Sequence, residues 1–392
     1  MRLLKYVFLL YLLNVTALNC KEVYNPPSVK NNPFILVVDG IILSGDDSSK
    51  ITLSRTRSLT DTAPQLKELD ARVSVEGESG VEYLLTGLGN GQYAISHLIL
   101  DASQHYYLKI VTSDKNEFRS ELSVVHPSPP IDSLYWTQDS AGAHIYVNSH
   151  DATNNTRYYR YEYQETWEYN SDFNSFLEYV DQNNIIPRSL ANQIYRCYQS
   201  GNSTNIEVTS TAKLSSDIVY KYETVFVPVG SIKISSLYSV LVKQYAITAE
   251  GFNYWTNLKK NTEQLGTLFD LQPFSELGNI RCMNNPDSKC IGFISFTTLQ
   301  QQRIFINRYD LIAWNYEPYY GNCILAQEFP NLISDHFQPP GGPYGNSLIG
   351  QGLDTVRLPG GPPPRPVYYY STNLCVDCTY NGGTTVKPSY WP

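Results

Sequence analysis

The stretch Arg157-Tyr158-Tyr159-Arg160-Tyr161-Glu162-Tyr163-Gln164-Glu165-Thr166-Trp167-Glu168-Tyr169 decides the fold class. Side chains alternate across an extended strand, so Tyr159, Tyr161, Tyr163, Trp167 and Tyr169 fall on one face. Arg160, Glu162, Gln164 and Glu168 fall on the other. A helix would scatter the same rings around its circumference. The ring-bearing face is expected in the core of a sheet and the polar face in water, with the aromatic stripe read as core packing ahead of a ligand platform.

The neighbouring residues extend this reading. Ile131 to Thr137 and Ala143 to Asn148 precede the stripe as strands. Ile194 to Tyr198, Ile206 to Ser210, Val219 to Val227 and Tyr238 to Ile247 follow it, then Cys290 to Thr297 and Arg303 to Arg308, with Asp310 to Trp314 a further candidate. Two stretches carry a helical period instead. In Asp172 to Val180 the apolar residues Phe173, Phe176, Leu177 and Val180 recur at helical spacing, which predicts a short helix near 172–181. Glu250 to Leu265 lines up Phe252, Trp255, Leu258 and Leu265, and Gly266 is placed to stop the helix there.

Upstream, Phe34 to Val38, Lys50 to Arg55, Ala71 to Val75, Tyr83 to Leu85, Gly91 to Leu98 and Tyr106 to Thr112 read as short strands, and Asn90-Gly91 marks a hairpin turn. Regular short strands of this kind predict an immunoglobulin- or transthyretin-like sandwich over 34–126. His126-Pro127-Ser128-Pro129-Pro130 is then a stiff boundary, and 131–392 a larger β-sandwich-based domain with one or two inserted helices. The fold class expected is mainly β.

Composition agrees with an exported β protein. The 392 residues are 42% hydrophobic and 17% charged, with 32 Tyr but only 2 Met. A net charge of −8 argues against nucleic acid, whose phosphates need clustered Lys and Arg.

The chain begins MRLLKYVFLLYLLNVTALNC. A basic start and an apolar run over Tyr6 to Leu13 lead to Cys20, the order of a lipoprotein signal over 1–20. The run is too short for a spanning helix, for which about 20 residues are needed. Asn19 stands where a small residue is usual before the cut, and cleavage after Ala17 is the competing reading. Cysteine number favours lipidation of Cys20, because the chain has seven and the other six can then pair. Residues 21–33, with Pro26, Pro27 and Pro33, read as a tether.

Of those six, Cys282 and Cys290 are expected to pair across the turn Asn284-Asn285-Pro286-Asp287. Cys197, Cys323, Cys375 and Cys378 would form two further bridges of open connectivity. Structural disulfides are the reading preferred for Cys375-x-x-Cys378 over redox chemistry or a four-thiolate zinc site. A Pro/Gly-rich loop over 339–366 ends in Tyr368-Tyr369-Tyr370, three rings suited to anchoring a partner surface.

Reaction motifs are missing from the sequence: there is no His-Glu-x-x-His, Gly-x-Ser-x-Gly, phosphate loop or calcium loop. The six histidines, His97, His105, His126, His144, His150 and His336, stand at no metal-ligand spacing. No catalytic residue, metal or cofactor is assigned. Two classes of function follow: a binding or accessory protein, and an exported hydrolase whose site is assembled from separated residues.

Several phrases in order carry a resemblance: Leu36-Val37-Val38-Asp39-Gly40, Tyr238 to Tyr245, Tyr254-Trp255, Gln272-Pro273, Gly278-Asn279-Ile280, Gly292-Phe293-Ile294, Arg303 to Ile306 and the ending Cys375 to Trp391. Together the chain resembles the Bacteroidota family of exported lipoproteins catalogued as a domain of unknown function and often found beside TonB-dependent receptors. The resemblance implies outer-membrane attachment through the N-terminal lipid and partnership with such a receptor. It implies no catalytic or ligand residue.

Overall fold

The computed structural model describes residues 34–57, 63–64, 66–181, 184–263, 278–318, 321–329, 348–353 and 366–392. The chain is mainly β, in two sandwiches joined end to end. Cys20, the signal and the tether lie outside the described residues, as does most of the Pro/Gly-rich loop. Among the described residues no helix is long and apolar enough to cross a membrane.

The first sandwich packs a seven-stranded sheet against a five-stranded one. Leu36, Val38, Ile51, Leu53, Val73, Val75, Leu108, Ile110 and Phe118 fill the space between them. Each side chain of that size contributes about 1.5–3 kcal/mol when fully removed from water. At the Asn90-Gly91 turn both residues take positive φ, 51° and 70°, as the two-residue hairpin requires. A Cβ on Gly91 would also stand 2.3 Å from the Leu53 carbonyl oxygen, so only glycine fits.

The domain boundary expected from sequence needs correction. Residues 278–298 do not belong to the second sandwich, because they add three strands to the first. Ile280–Cys282 pairs antiparallel with Glu117–Ser120, while Cys290–Ile291 and Phe296–Thr297 pair in parallel with Leu36–Leu43. Ile280, Ile294 and Phe296 are the apolar residues that this return buries. Gly292 permits it, since a Cβ there would stand 2.2 Å from the Val38 carbonyl oxygen.

In the second sandwich a three-stranded sheet, Ile131–Gln138, Gly142–His150 and Ile218–Pro228, faces a five-stranded one centred on Tyr158–Asn170 and Leu237–Ala246. Tyr159, Tyr161, Trp167 and Tyr169 do lie in its core, against Ile145, Val147, Val225, Val240 and Val242. The tyrosine hydroxyls are satisfied there: Tyr161 donates to Gln244 Oε1 at 3.0 Å and Tyr159 donates to Asp217. The opposite face is not wet along its whole length. Thr166 and Glu168 are buried because the C-terminus folds over them, Tyr390 meeting Thr166 and the Trp391 indole donating to Glu168 at 3.2 Å.

Helix Ala249–Glu263 forms where the period predicts it, with Trp255 packed against Tyr254 and Phe293, and the Arg160 guanidinium 3.9 Å over the Trp255 ring. The helix predicted near 172–181 does not form. Leu177–Asp181 is a strand paired with Asn184–Pro187. Distant partners override the local period: Phe173 N–H donates to the Cys375 carbonyl, Phe176 N–H to Ile349, and Ser175 Oγ to Leu348.

Candidate functional site

Strand directions assign the two poles of the molecule. Leu36–Leu43 runs toward the junction, since Leu43 pairs with Thr297 and Thr297 bridges His126 at the linker. The chain therefore enters the first sandwich at the pole remote from the junction. In the second sandwich, Ile131–Gln138 and Tyr158–Asn170 run away from the linker, so the connections 139–141, 229–236, 308–316 and 171–195 all emerge at the opposite pole.

At that pole the long 171–195 insertion meets the C-terminal segment. Two disulfides tie the C-terminal segment down: Cys197–Cys378 to the strand that follows the insertion, with Cα atoms 5.7 Å apart, and Cys323–Cys375 to the 321–329 segment, at 5.8 Å. Tyr169 hydroxyl donates to the Cys378 carbonyl at 2.8 Å, and Cys378 N–H donates to Ile194. The four cysteines left open in the sequence thus staple one small module. The expected Cys282–Cys290 bridge is absent, and both are free thiols. Their strands belong to the two different sheets of the first sandwich, Cys282 opposite Phe118 and Cys290 opposite Leu36. Both side chains pack into the same core without being bonded to each other. Burial pushes the Cys290 thiol well above its ordinary pKa, which makes it inert.

Tyr368, Tyr369 and Tyr370 are not a free anchor. They lie on Pro366–Tyr370, the central strand between Ala326–Glu328 and Leu348–Leu353. Tyr368 and Tyr370 pack with Leu348, Leu177, Tyr179 and Ile185 in the module's own small core. What this pole does expose are other apolar side chains: Leu190 at 95%, Tyr309 at 91% and Ile312 at 83% of their surface. None stands out in the sequence, because exposure of a loop residue has no periodic signal.

A cleft of about 740 Å³ lies at the opposite end of the second sandwich, between the linker His126–Pro130, the 150–158 segment and the start of the 249–263 helix. Most of its polar groups are engaged. Burial works to raise the Asp151 pKa, but the Thr153 hydroxyl and the N–H groups of Thr153, Asn155 and Thr156 hold it down at about 2. His150 shares a hydrogen bond with Asp132 at 2.7 Å. Burial lowers the His126 pKa, against a weaker opposing pull from Glu250, so the ring is neutral near pH 7. Among the described residues no three His, Cys, Asp or Glu side chains are grouped to hold a metal.

A mainly β chain of two sandwiches, carrying a disulfide-stapled module at one pole, is the class that these observations define. Within it, the chain belongs to the family described as Domain of unknown function (DUF4249), whose model matches residues 21–303. No curated protein matches it. Among solved structures it is similar to a two fibronectin type-III domain segment from chicken tenascin, at 11% identity over 55% of this chain and 91% of that one, with a TM-score of 0.16. A chitinase, ChiA74 from Bacillus thuringiensis, matches at 10% identity over 47% of this chain and 30% of the chitinase, with a TM-score of 0.14. TM-scores this low establish neither a shared fold nor a shared activity.

Proposed function

We propose that the chain is a non-enzymatic binding protein, held at the outer membrane by a lipid on Cys20 and acting as an accessory subunit of a TonB-dependent transporter. The observation that supports this reading is polar placement. The chain enters at one pole, and the insertions, the stapled module and the exposed Leu190, Tyr309 and Ile312 gather at the other. Loops clustered at one end of a rigid β scaffold are a common arrangement for recognition. Apolar groups so exposed are suited to burial against a partner.

In the cleft beside the linker His126 is the neutral imidazole, and Asp151 and His150 are committed to structural partners. The Thr153 hydroxyl does donate to Asp151 at 2.6 Å, but that carboxylate also accepts the N–H groups of Thr153, Asn155 and Thr156 and is held at a pKa of about 2, too weak a base to activate a nucleophile.

Purification of the native protein from detergent-solubilised outer membranes tests the proposal. The wild type is expected to bring down a TonB-dependent receptor. A Leu190→Asp/Ile312→Asp variant should stay folded and membrane-bound yet lose the receptor, and Cys20→Ser should move the protein to the soluble fraction. Wild-type protein that purifies without a receptor, or a variant that retains it fully, would overturn the reading.

A further inference from the structure

The outer face of the three-stranded sheet in the second sandwich carries a row of rings. Tyr135 and Tyr146 are opposite each other on adjacent strands, with centroids 5.7 Å apart. Tyr146 stacks on His144 at 6.2 Å and 12°, and His144 meets its cross-strand partner Phe226 at 4.8 Å. The four rings run diagonally over all three strands. They belong to the face turned away from the core, because Leu134, Ile145, Val147, Val225 and Val227 take the inward positions.

Charge on this face is present but compensated. His144 sits between Glu223, 2.9 Å from Nδ1, and Asp139, 3.1 Å from Nε2. Asp132 pairs with His150, and the Lys221 ammonium lies 5.0 Å over the Tyr146 ring. With three carboxylates, Asp132, Asp139 and Glu223, against the one Lys221 ammonium, the face offers no positive field to an anionic partner. The rings offer flat apolar tiles, and the carboxylates beside them keep lone pairs for hydroxyl donors.

We infer that this face binds a neutral polysaccharide, laid as an extended chain across the three strands. With the exposed Lys221 side chain moved off Tyr146, the apolar faces of successive sugar rings would rest on Tyr135, Tyr146 and Phe226, and sugar hydroxyls would donate to Glu223 and Asp139. Flat rings that alternate C–H faces with equatorial hydroxyls match this alternation of tile and acceptor, and the ring spacings are on the scale of one sugar unit. His144 is a positioning residue, fixing both carboxylates at the row's centre. This inference does not rest on the proposed receptor contact, although Asp139 stands at the pole where Gln138 holds Ile312.

Affinity electrophoresis of the full chain in gels containing soluble β-glucan, mannan or xylan, with alginate as the anionic control, tests it. Retardation by at least one neutral polymer is expected, weakened about tenfold by Tyr146→Ala and nearly restored by Tyr146→Phe, which keeps the ring. Thermal unfolding must show Tyr146→Ala to be folded; Tyr135→Ala is the second variant if it is not. Failure of all three neutral polymers to retard the wild type would overturn the inference. So would preference for alginate, or retardation unchanged by both alanine variants. Loss of receptor co-purification on Tyr146→Ala, without any polysaccharide retardation of the wild type, would assign the face to a protein partner instead.

Discussion

Ser128 Oγ donates to the Thr298 carbonyl oxygen at 2.7 Å, and Ser128 N–H donates to Thr298 Oγ1 at 2.9 Å. These two residues belong to the two crossings between the sandwiches, one outward after His126 and one returning after Thr297. The crossings run side by side, with Thr298 N–H donating to His126 and Thr297 Oγ1 donating to the same carbonyl at 2.8 Å. Ser128 Oγ also accepts the Ala246 N–H at 2.7 Å, so one hydroxyl ties both crossings to the second sandwich. A junction built in this way is a rigid splice, whatever its prolines would allow alone.

Ser128→Ala should therefore destabilise more than a surface change. It strands a buried N–H and a carbonyl oxygen, each costing about 1–3 kcal/mol when left unpaired. Urea unfolding followed by tyrosine and tryptophan fluorescence should show a lowered midpoint. A midpoint within error of wild type would mean that water replaces the hydroxyl and that the splice is not tight.

Thiol chemistry should separate the two free cysteines. Cys290 is buried with its pKa pushed up, while Cys282 is half-buried with Sγ 3.4 Å from Asn284 Oδ1. Alkylation of the native protein should modify Cys282 alone, and both should react after unfolding without reductant. Mass-spectrometric mapping checks this. Finding Cys282 joined to Cys290 would restore the pairing expected from their turn and contradict their assignment as free thiols.

Those cysteines also mark what could be read from the sequence and what could not. Strands with period two, the Asn90-Gly91 turn and the helix expected over Glu250 to Leu265, found as Ala249–Glu263, carry local signals, and the structure has each of them. The return of 278–298 to the first sandwich has no local signal, since it depends on Gly292 meeting a strand more than two hundred residues earlier. Asp172 to Val180 has a real helical period, which long-range hydrogen bonds override. The aromatic stripe gave the correct core face. Burial of Glu168 on the opposite face required Trp391, from the other end of the chain. The ring row was hidden for a different reason: its members come from three separate strands.

Removing the Cys197–Cys378 bridge should release the C-terminal cover. The two cysteines are 181 residues apart, and closing so long a loop is worth about 5 kcal/mol on the chain-entropy model. Cys197→Ser/Cys378→Ser should lower the unfolding midpoint and free Trp391 from its contacts with Tyr198 and Phe305, shifting tryptophan emission to the red. Unchanged emission together with an unchanged midpoint would show that packing over Tyr169 holds the module without the bridge.

His144 gives the stability a pH dependence of definite sign. Burial works to lower its pKa, but hydrogen bonds that the ring donates to Glu223 and Asp139, with the charges of those carboxylates, outweigh it and raise the value above 6.5. The groups facing the ring are those two carboxylates, the Tyr146 and Phe226 rings, and the Lys221 ammonium lying over Tyr146. A histidine whose folded pKa is raised binds its proton more tightly folded than unfolded. Its contribution is complete below about pH 6.5, the unfolded value, and disappears as pH rises through the folded value. His144→Gln should thus cost most stability near about pH 6 and progressively less toward about pH 9, a window in which the carboxylates stay ionised. Urea midpoints of both proteins across that window measure the difference. A constant difference would mean that the ring acts through packing alone, and a difference that grew with pH would reverse the assigned direction of the shift.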